Sequence, residues 1–316
     1  MNLFRLPRHL HRLGLLGINQ RNADFIMRYN PRKLYPLVDD KLRTKQLAID
    51  NNIAVPELYG LIEHQYQTRA IDSILGEHQD FVIKPAHGSG GNGILVITDQ
   101  LGDHFQKSNG ELLSLEGIRH HISNILSGMY SLSGIADQAI IEYRVKFDPI
   151  FKDISYRGVP DIRVIVFRGV PVAAMVRLPT RVSDGKANLH QGAMGMGIDL
   201  ATGTSCGGVF RNRPCTIHPD TRQSITNITI PKWDDILQLA THCADTVQLG
   251  YLGVDIVMDQ TLGPLMLELN ARPGLSVQLA NQAGLLNNLR RVEAMKDIPR
   301  DIHERCALAQ SFSLKH

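Results

Sequence analysis

The sequence predicts an α+β fold, and three observations predict it. Apolar runs of strand length outnumber helical patterns, the two kinds do not alternate as regular strand–helix–strand units, and the chain is long enough to bury a sizeable core. With 316 residues, 43% hydrophobic and 21% charged, the composition is that of a globular protein, which excludes wholesale disorder.

The elements follow in order. Asp39 and Asp40 ahead of residues 41–48 read as a helix start, because acids suit a helix's positive end, and Val55-Pro56 stops it. Residues 81–84 (Phe-Val-Ile-Lys) read as a strand, followed by a glycine-rich loop at 87–93 and a second strand at 94–97. Residues 117–129 set Ile118, Ile122, Ile125, Leu126 and Met129 on one helical face. Strand-like runs at 139–145, 162–167 and 172–178 follow, and residues 178–199 read as a polar, glycine-rich loop. Trp233, Ile236, Leu237, Ala240, Ala244 and Val247 repeat with the helical period. Residues 252–258 and 264–270 read as two strands flanking a turn.

Several function classes are excluded. No run of about 18 apolar residues occurs, so no helix spans a bilayer. A net charge of +3 is too slight to argue for nucleic acid. Four cysteines without a C-x-x-C pair are expected of reduced thiols in a cytoplasmic protein, and Cys206, Cys215 and His218 fit no standard zinc spacing. The charge is uneven: residues 1–45 carry ten Lys/Arg against three Asp/Glu, +7, leaving −4 for the rest. The opening 22 residues are Arg-rich and acid-free, as in an organelle presequence. The run Leu15-Leu16-Gly17-Ile18-Asn19 has no cleavage-like break, which favours instead a basic arm that is solvated or lies on an acidic surface of its own protein.

Three constellations carry chemistry. Gly88-Ser89-Gly90-Gly91-Asn92-Gly93 satisfies G-x-G-x-x-G, but it runs into a strand rather than opening a helix, which argues against a dinucleotide site. What remains is a strand–loop–strand hairpin able to fold over phosphates with its backbone N–H groups, with Lys84 as point charge; a merely flexible hairpin tip is the plain alternative. In the 252–270 hairpin, pairing Asp259 with Pro264 puts Asp255 opposite Glu268, and Asn270 shares their face. Two neighbouring carboxylates repel unless a cation joins them, and oxygen-only ligands suit Mg²⁺; a chance polar face is the alternative. Finally, Arg163 and Arg177 stand within apolar strands, with Lys186 and Asn188 nearby. Such arginines need an anionic partner, either an internal acid such as Asp161 or Glu142 or an anionic ligand such as a nucleoside triphosphate. His120, His121 and His190 read as structural or solvent-facing.

These motifs in combination resemble the ATP-grasp superfamily, and within it the α-L-glutamate ligase-like proteins related to the ribosomal-protein S6 glutamate ligases. The resemblance rests on Asp40-Lys41-Leu42, residues 81–85, the glycine loop, Ile141-Glu142-Tyr143, Asp161-Ile162-Arg163, Asn188-Leu189-His190, Gly253-Val254-Asp255 and residues 267–274. It implies two α+β subdomains sandwiching ATP, at residues 39–140 and 141–285, flanked by a basic arm at 1–38 and a tail at 286–316; the expected departure from the family is the lack of its full preceding domain. It also implies an ATP-dependent carboxylate–amine ligase acting through an acyl phosphate, with glutamate or another amino acid as one substrate and a peptide or small amine as the other. ATP contacts would come from Lys41, Lys84, Gly88, Ser89, Gly90, Gly91, Glu142, Tyr143, Val145, Asp161, Arg163 and Asn188. Arg177 and Lys186 would serve catalysis, and Asp255, Glu268 and Asn270 would hold Mg²⁺, with Mn²⁺ as a substitute. A homo-oligomer or partner protein would complete the substrate pocket. The competing reading is a catalytically silent nucleotide-binding module.

Overall fold

The computed structural model describes residues 13–76, 78–88, 90–131 and 134–312. They form two compact units: a smaller one of residues 40–45 and 55–145, and a larger one of the residues up to Asp39, residues 46–54 and those from Lys146 onward. Helix α1 (Lys41–Asp50) starts as the acids imply, with Asp40 Oδ1 accepting the N–H groups of Leu42 (2.9 Å) and Arg43 (3.0 Å). It ends five residues ahead of Val55-Pro56, where Asn52 takes a φ of 55°.

The smaller unit is built on a six-stranded antiparallel sheet. Its strands are β1 (Leu58–Ile62), β2 (Phe81–Pro85), β3 (Leu95–Leu101), β4 (His104–Lys107), β5 (Leu112–Ser114) and β6 (Ala139–Glu142), in the order β1-β6-β2-β3-β4-β5. The glycine loop therefore joins two paired strands, with Phe81 opposite Ile97 and Ile83 opposite Leu95, as the strand–loop–strand reading requires. Helix α2 (Leu115–Leu126), capped by Ser114, buries Ile118, Ile122 and Ile125 against Phe81, Ile83, Ile97 and Phe105. Each such burial contributes about 1.5–3 kcal/mol. Met129 does not join this face and is exposed. The chain turns away at Gly128, where φ is +81° and a Cβ would stand 2.3 Å from the Ile135 carbonyl oxygen.

The larger unit has eight strands, all antiparallel. They are β7 (Asp161–Phe167), β8 (Val170–Leu178), β9 (Met194–Ile198), β10 (Thr204–Phe210), β11 (Arg213–Cys215), β12 (Thr226–Thr229), β13 (Tyr251–Asp259) and β14 (Gly263–Asn270). The order is β11-β10-β9-β8-β7-β13-β14, with β12 alongside β10. Helix α3 (Trp233–Val247) buries the expected apolar stripe.

Two expectations are corrected here. Residues 178–199 are not all loop, because Met194-Gly195-Met196-Gly197-Ile198 is β9, buried throughout. Its glycines hide it from propensity, yet they are what lets neighbouring backbone approach: a Cβ on Gly197 would lie 2.5 Å from the Ala280 carbonyl oxygen. The described part of the basic segment, in turn, is not a solvated arm. Leu16, Phe25 and Ile26 are buried, and Phe25 meets Phe167 edge-on at 5.4 Å. Asn30 Nδ2 donates to the Tyr251 and Ala271 carbonyls while its Oδ1 accepts the Tyr251 N–H. Residues after 285 form helices α4 (Leu286–Glu293) and α5 (Ile302–Gln310). Among the described residues no helix is long and apolar enough to cross a membrane.

Candidate active-site residues

In the smaller unit, antiparallel pairing sets Lys84 opposite Ile140 and Val82 opposite Glu142, so Lys84 and Glu142 are diagonal neighbours on one face. The Lys84 ammonium lies 2.5 Å from Glu142 Oε1, and Lys45 Nζ lies 2.8 Å from Oε2. All three side chains are buried. Burial alone would raise the Glu142 carboxyl, but Lys84 and Lys45 outweigh it and hold it below its ordinary value. The same burial lowers Lys45, against the pull of Glu142. Lys84 thus ends on Glu142, whereas the sequence reading sent its charge to the glycine loop. Lys45 was not anticipated, although its place four residues after Lys41 on α1 was the available signal.

The glycine loop is reached instead by Lys41, whose Nζ donates to the Gly88 carbonyl at 2.5 Å. Gly90 and Gly91 have φ of +63° and +76°, conformations that favour glycine. Ser89 lies outside the described residues. Around the expected hinge, Glu142 is paired with Leu58 on one side and Val82 on the other, the Tyr143 N–H donates to the Glu57 carbonyl at 2.8 Å, and Val145 is buried.

In the larger unit the register aligns a row of charges across four strands. Arg177 of β8 stands opposite Asp161 of β7; Arg163, two residues on, stands opposite Asp255 of β13; and Asp255 stands opposite Glu268 of β14. The expected Asp255–Glu268 pair is present, but by another route. The turn is one residue tighter, pairing Asp259 with Gly263, and a bulge between Asp255 and Ile256 restores the register.

Arg163 forms a two-pronged bond to Asp255, Nε to Oδ1 at 2.7 Å and Nη2 to Oδ2 at 2.6 Å. Arg177 does the same to Asp161, and its Nη2 also donates to Asp255 Oδ2 at 2.8 Å. Burial opposes ionisation of Asp255, but Arg163 and then Arg177 hold its carboxyl down to about 2. Asp161 takes a proton first, pushed up to about 6 by burial against the pull of Arg177. The buried Arg177 guanidinium stays charged, held by Asp161 and Asp255 against the cost of burial. The cation that the sequence reading supplied to Asp255 as metal is, in the protein itself, two guanidiniums.

Whether these residues suit a divalent cation follows from the donor atoms left over. Asp255 accepts three N–H groups, which leaves one of its roughly four lone-pair sites. Glu268 is half-buried and has no hydrogen bond or ion pair among the described residues, and Asn270 Oδ1 accepts the Arg272 N–H at 2.9 Å. Oxygen donors of this kind fit Mg²⁺ when phosphate oxygens complete the shell. Among the described residues no group of three His, Cys, Asp or Glu side chains could hold a metal unaided, and the zinc spacing at Cys206, Cys215 and His218 forms no such group. Lys186 and Asn188 lie on the connection between β8 and β9 and make no ion pair or hydrogen bond to the row. Asn188 instead caps the short turn Leu189–Gln191 by accepting the His190 N–H at 3.0 Å.

The fold and these groups can be set beside known proteins. The chain resembles the biotin carboxylase domain of a Hydrogenobacter thermophilus 2-oxoglutarate carboxylase, solved with MgADP and bicarbonate, at 14% identity and a TM-score of 0.52, over 96% of this chain and 54% of that one. It also matches the ATP-grasp ligase PsnB solved with a minimal precursor, at 16% identity and a TM-score of 0.41 over 90% of this chain. A third match, the D-alanine–D-alanine ligase of Bacillus anthracis, has 13% identity and a TM-score of 0.47, over 90% and 71% of the two chains. The chain spans 64% of the length of PsnB, and at these identities the likeness concerns the fold alone. No curated protein matches. The family described as sugar-transfer associated ATP-grasp matches residues 20–294, most of the chain, and the protein belongs to that family.

Proposed function

We propose that the protein is an ATP-dependent carboxylate–amine ligase. The observation that carries this reading is the row Arg177–Asp161–Arg163–Asp255–Glu268: charges fixed in a sheet of apolar strands, ending on an unpartnered carboxylate beside Asn270. In the reaction, a substrate carboxylate oxygen attacks the γ-phosphorus of ATP and ADP leaves, giving an acyl phosphate. An amine then attacks the acyl carbon, phosphate leaves with the bonding electrons, and the nitrogen gives up a proton. Glu268, Asn270 and the remaining lone pair of Asp255 are the groups to hold Mg²⁺, or Mn²⁺ in its place, which offsets phosphate charge. Arg177, ionised and fixed by two acids, is suited to the charge that develops on the phosphoryl and acyl oxygens. Lys41 and the loop at 87–93 are the phosphate-side groups of the smaller unit.

The substrate classes to test first are amino acids, glutamate among them as in the α-L-glutamate ligases, and peptides. The family's association with sugar transfer adds sugar-borne carboxylates and amines. Incubation with ATP, Mg²⁺ and these pools, read by mass spectrometry and phosphate release, tests the reading. A condensed product with stoichiometric ADP supports it. One observation favours the silent-module alternative: Lys84 and Arg177 are each already neutralised by a buried acid. Nucleotide binding with no substrate-stimulated phosphate release decides for that module.

A further inference from the structure

One histidine of the smaller unit is built like a working side chain although the sequence reading gave its imidazole no role. His87 heads the glycine loop, and its imidazole Nδ1 lies 2.8 Å from Asp137 Oδ1. Asp137 is wholly enclosed, with 0% of its side chain exposed, whereas 48% of His87's is exposed. The Asp137 oxygens also accept the backbone N–H of His87 (3.1 Å to each) and that of Gln138 (2.8 Å). A carboxylate receiving backbone N–H groups acts as acceptor, so the imidazole proton sits on Nδ1 and Nε2 faces outward.

The fixed ring stands among groups that already organise the loop. Lys41 Nζ holds the Gly88 carbonyl, and the Lys41 N–H meets the Ala86 carbonyl at 3.4 Å. The charged and titratable groups facing the ring are Asp137 behind it, Asp40 with Oδ2 3.8 Å from Nε2, and Lys41 at the start of α1. At 3.8 Å Asp40 does not hydrogen-bond Nε2, so that nitrogen is presented to a ligand. With Nδ1–H bonded to Asp137, a ring that also carries a proton on Nε2 is a charged donor for an anion.

We propose that His87, oriented by Asp137, is a phosphate-contacting residue: Nε2–H donates to an oxygen of the polyphosphate of ATP held by the glycine loop. Asp137 is its positioning residue. The proposal rests on the ATP-binding reading given above and extends it to the side chain of a loop residue to which the sequence reading gave no role of its own. No bond forms or breaks at His87, which contributes binding and orientation.

The test separates the two nitrogens. In His87→Asn the side-chain amide can replace Nδ1–H toward Asp137 but leaves nothing at Nε2, whereas His87→Gln can place an amide donor near Nε2. ATP and AMP affinities are measured by calorimetry on the full chain between pH 5.5 and 8. The expected result is that His87→Asn weakens ATP binding roughly tenfold or more at pH 6, leaves AMP affinity within about twofold, and is partly rescued in His87→Gln. Equal ATP affinities overturn the proposal, as do parallel losses of ATP and AMP. A second measurement uses the wild type alone: addition of tripolyphosphate should shift the His87 Nε2 nitrogen resonance, and an unmoved resonance overturns the proposal even if the variants do not fold. Wild type that binds no ATP overturns the ligase reading as well; wild type that binds ATP with an indifferent His87 overturns only this inference.

Discussion

Glu142→Gln removes one negative charge from between two buried ammonium groups. Lys84 and Lys45 have 8% and 6% of their side chains exposed, so solvent replaces little of what Glu142 supplied. Lys45 keeps its bond to the Pro56 carbonyl, but the Lys84 ammonium has no other partner among the described residues. Breaking a buried ion pair from one side costs about 3–5 kcal/mol, and here two cations lose their counter-charge. The smaller unit should therefore be destabilised by at least about 3 kcal/mol. The sign with pH also follows. Because Lys84 and Lys45 hold Glu142 below its ordinary value, its contribution is fully present above the unfolded carboxyl pKa of about 4.3 and is lost as pH falls through the lower, folded value. The gap between wild type and variant should be widest above about pH 5 and close as the pH drops below about 4. The assay must see the smaller unit, and the chain's single tryptophan, Trp233, lies in the larger one. Hydrogen exchange of β2 and β6, followed by mass spectrometry, is the suitable measure. A loss below about 1 kcal/mol, or a gap that persists unchanged at pH 3, refutes the reasoning.

Three further outcomes are expected. Glu268→Gln breaks no hydrogen bond or ion pair among the described residues, so its fold should survive while Mg²⁺-dependent ATP turnover falls at least tenfold; turnover at the wild-type rate removes Glu268 from the metal site. Arg177→Ala should cut kcat by roughly 10²-fold or more with a much smaller change in ATP dissociation constant, and matched losses in both count against a role in the transition state. Phe25→Ala, which empties a fully buried site against Phe167 and Tyr251, should cost about 3–5 kcal/mol in the unfolding transition seen by Trp233 fluorescence, and an unshifted midpoint counts against a core role for that segment.

Local patterning made much of this architecture legible. The glycine hairpin, α2 and α3 declared themselves through period and flanking residues, and the Asp255–Glu268 pairing followed from strand counting, although a tighter turn and a bulge compensated each other. What stayed hidden depended on contacts between distant parts of the chain. Strand β9 is disguised by glycines whose value lies in the backbone packed against them. The basic segment looks solvated until Phe25 and Asn30 meet residues more than 140 positions away. The arginines raised the same difficulty. Their residue types announced an anionic partner, but only the register decides that Asp161 and Asp255 are those partners, and that Lys84 is claimed by Glu142.

The dependence of the N-terminal segment on late residues has a consequence for biosynthesis. Leu16 exchanges backbone hydrogen bonds with the side chain of Gln278, 262 residues later, and Asn30 waits for Tyr251. At about 5–20 residues per second, a ribosome takes roughly 10–50 s to supply those partners. Through that interval Leu16 and Asn30 lack these partners, while every strand of the six-stranded sheet has already been made by residue 142. The smaller unit can therefore fold during translation, whereas the larger one must wait for residues 251–278. The segment at 16–30 is thus made well before its partners and finds its place late, and it is a stretch a nascent-chain chaperone has reason to shield.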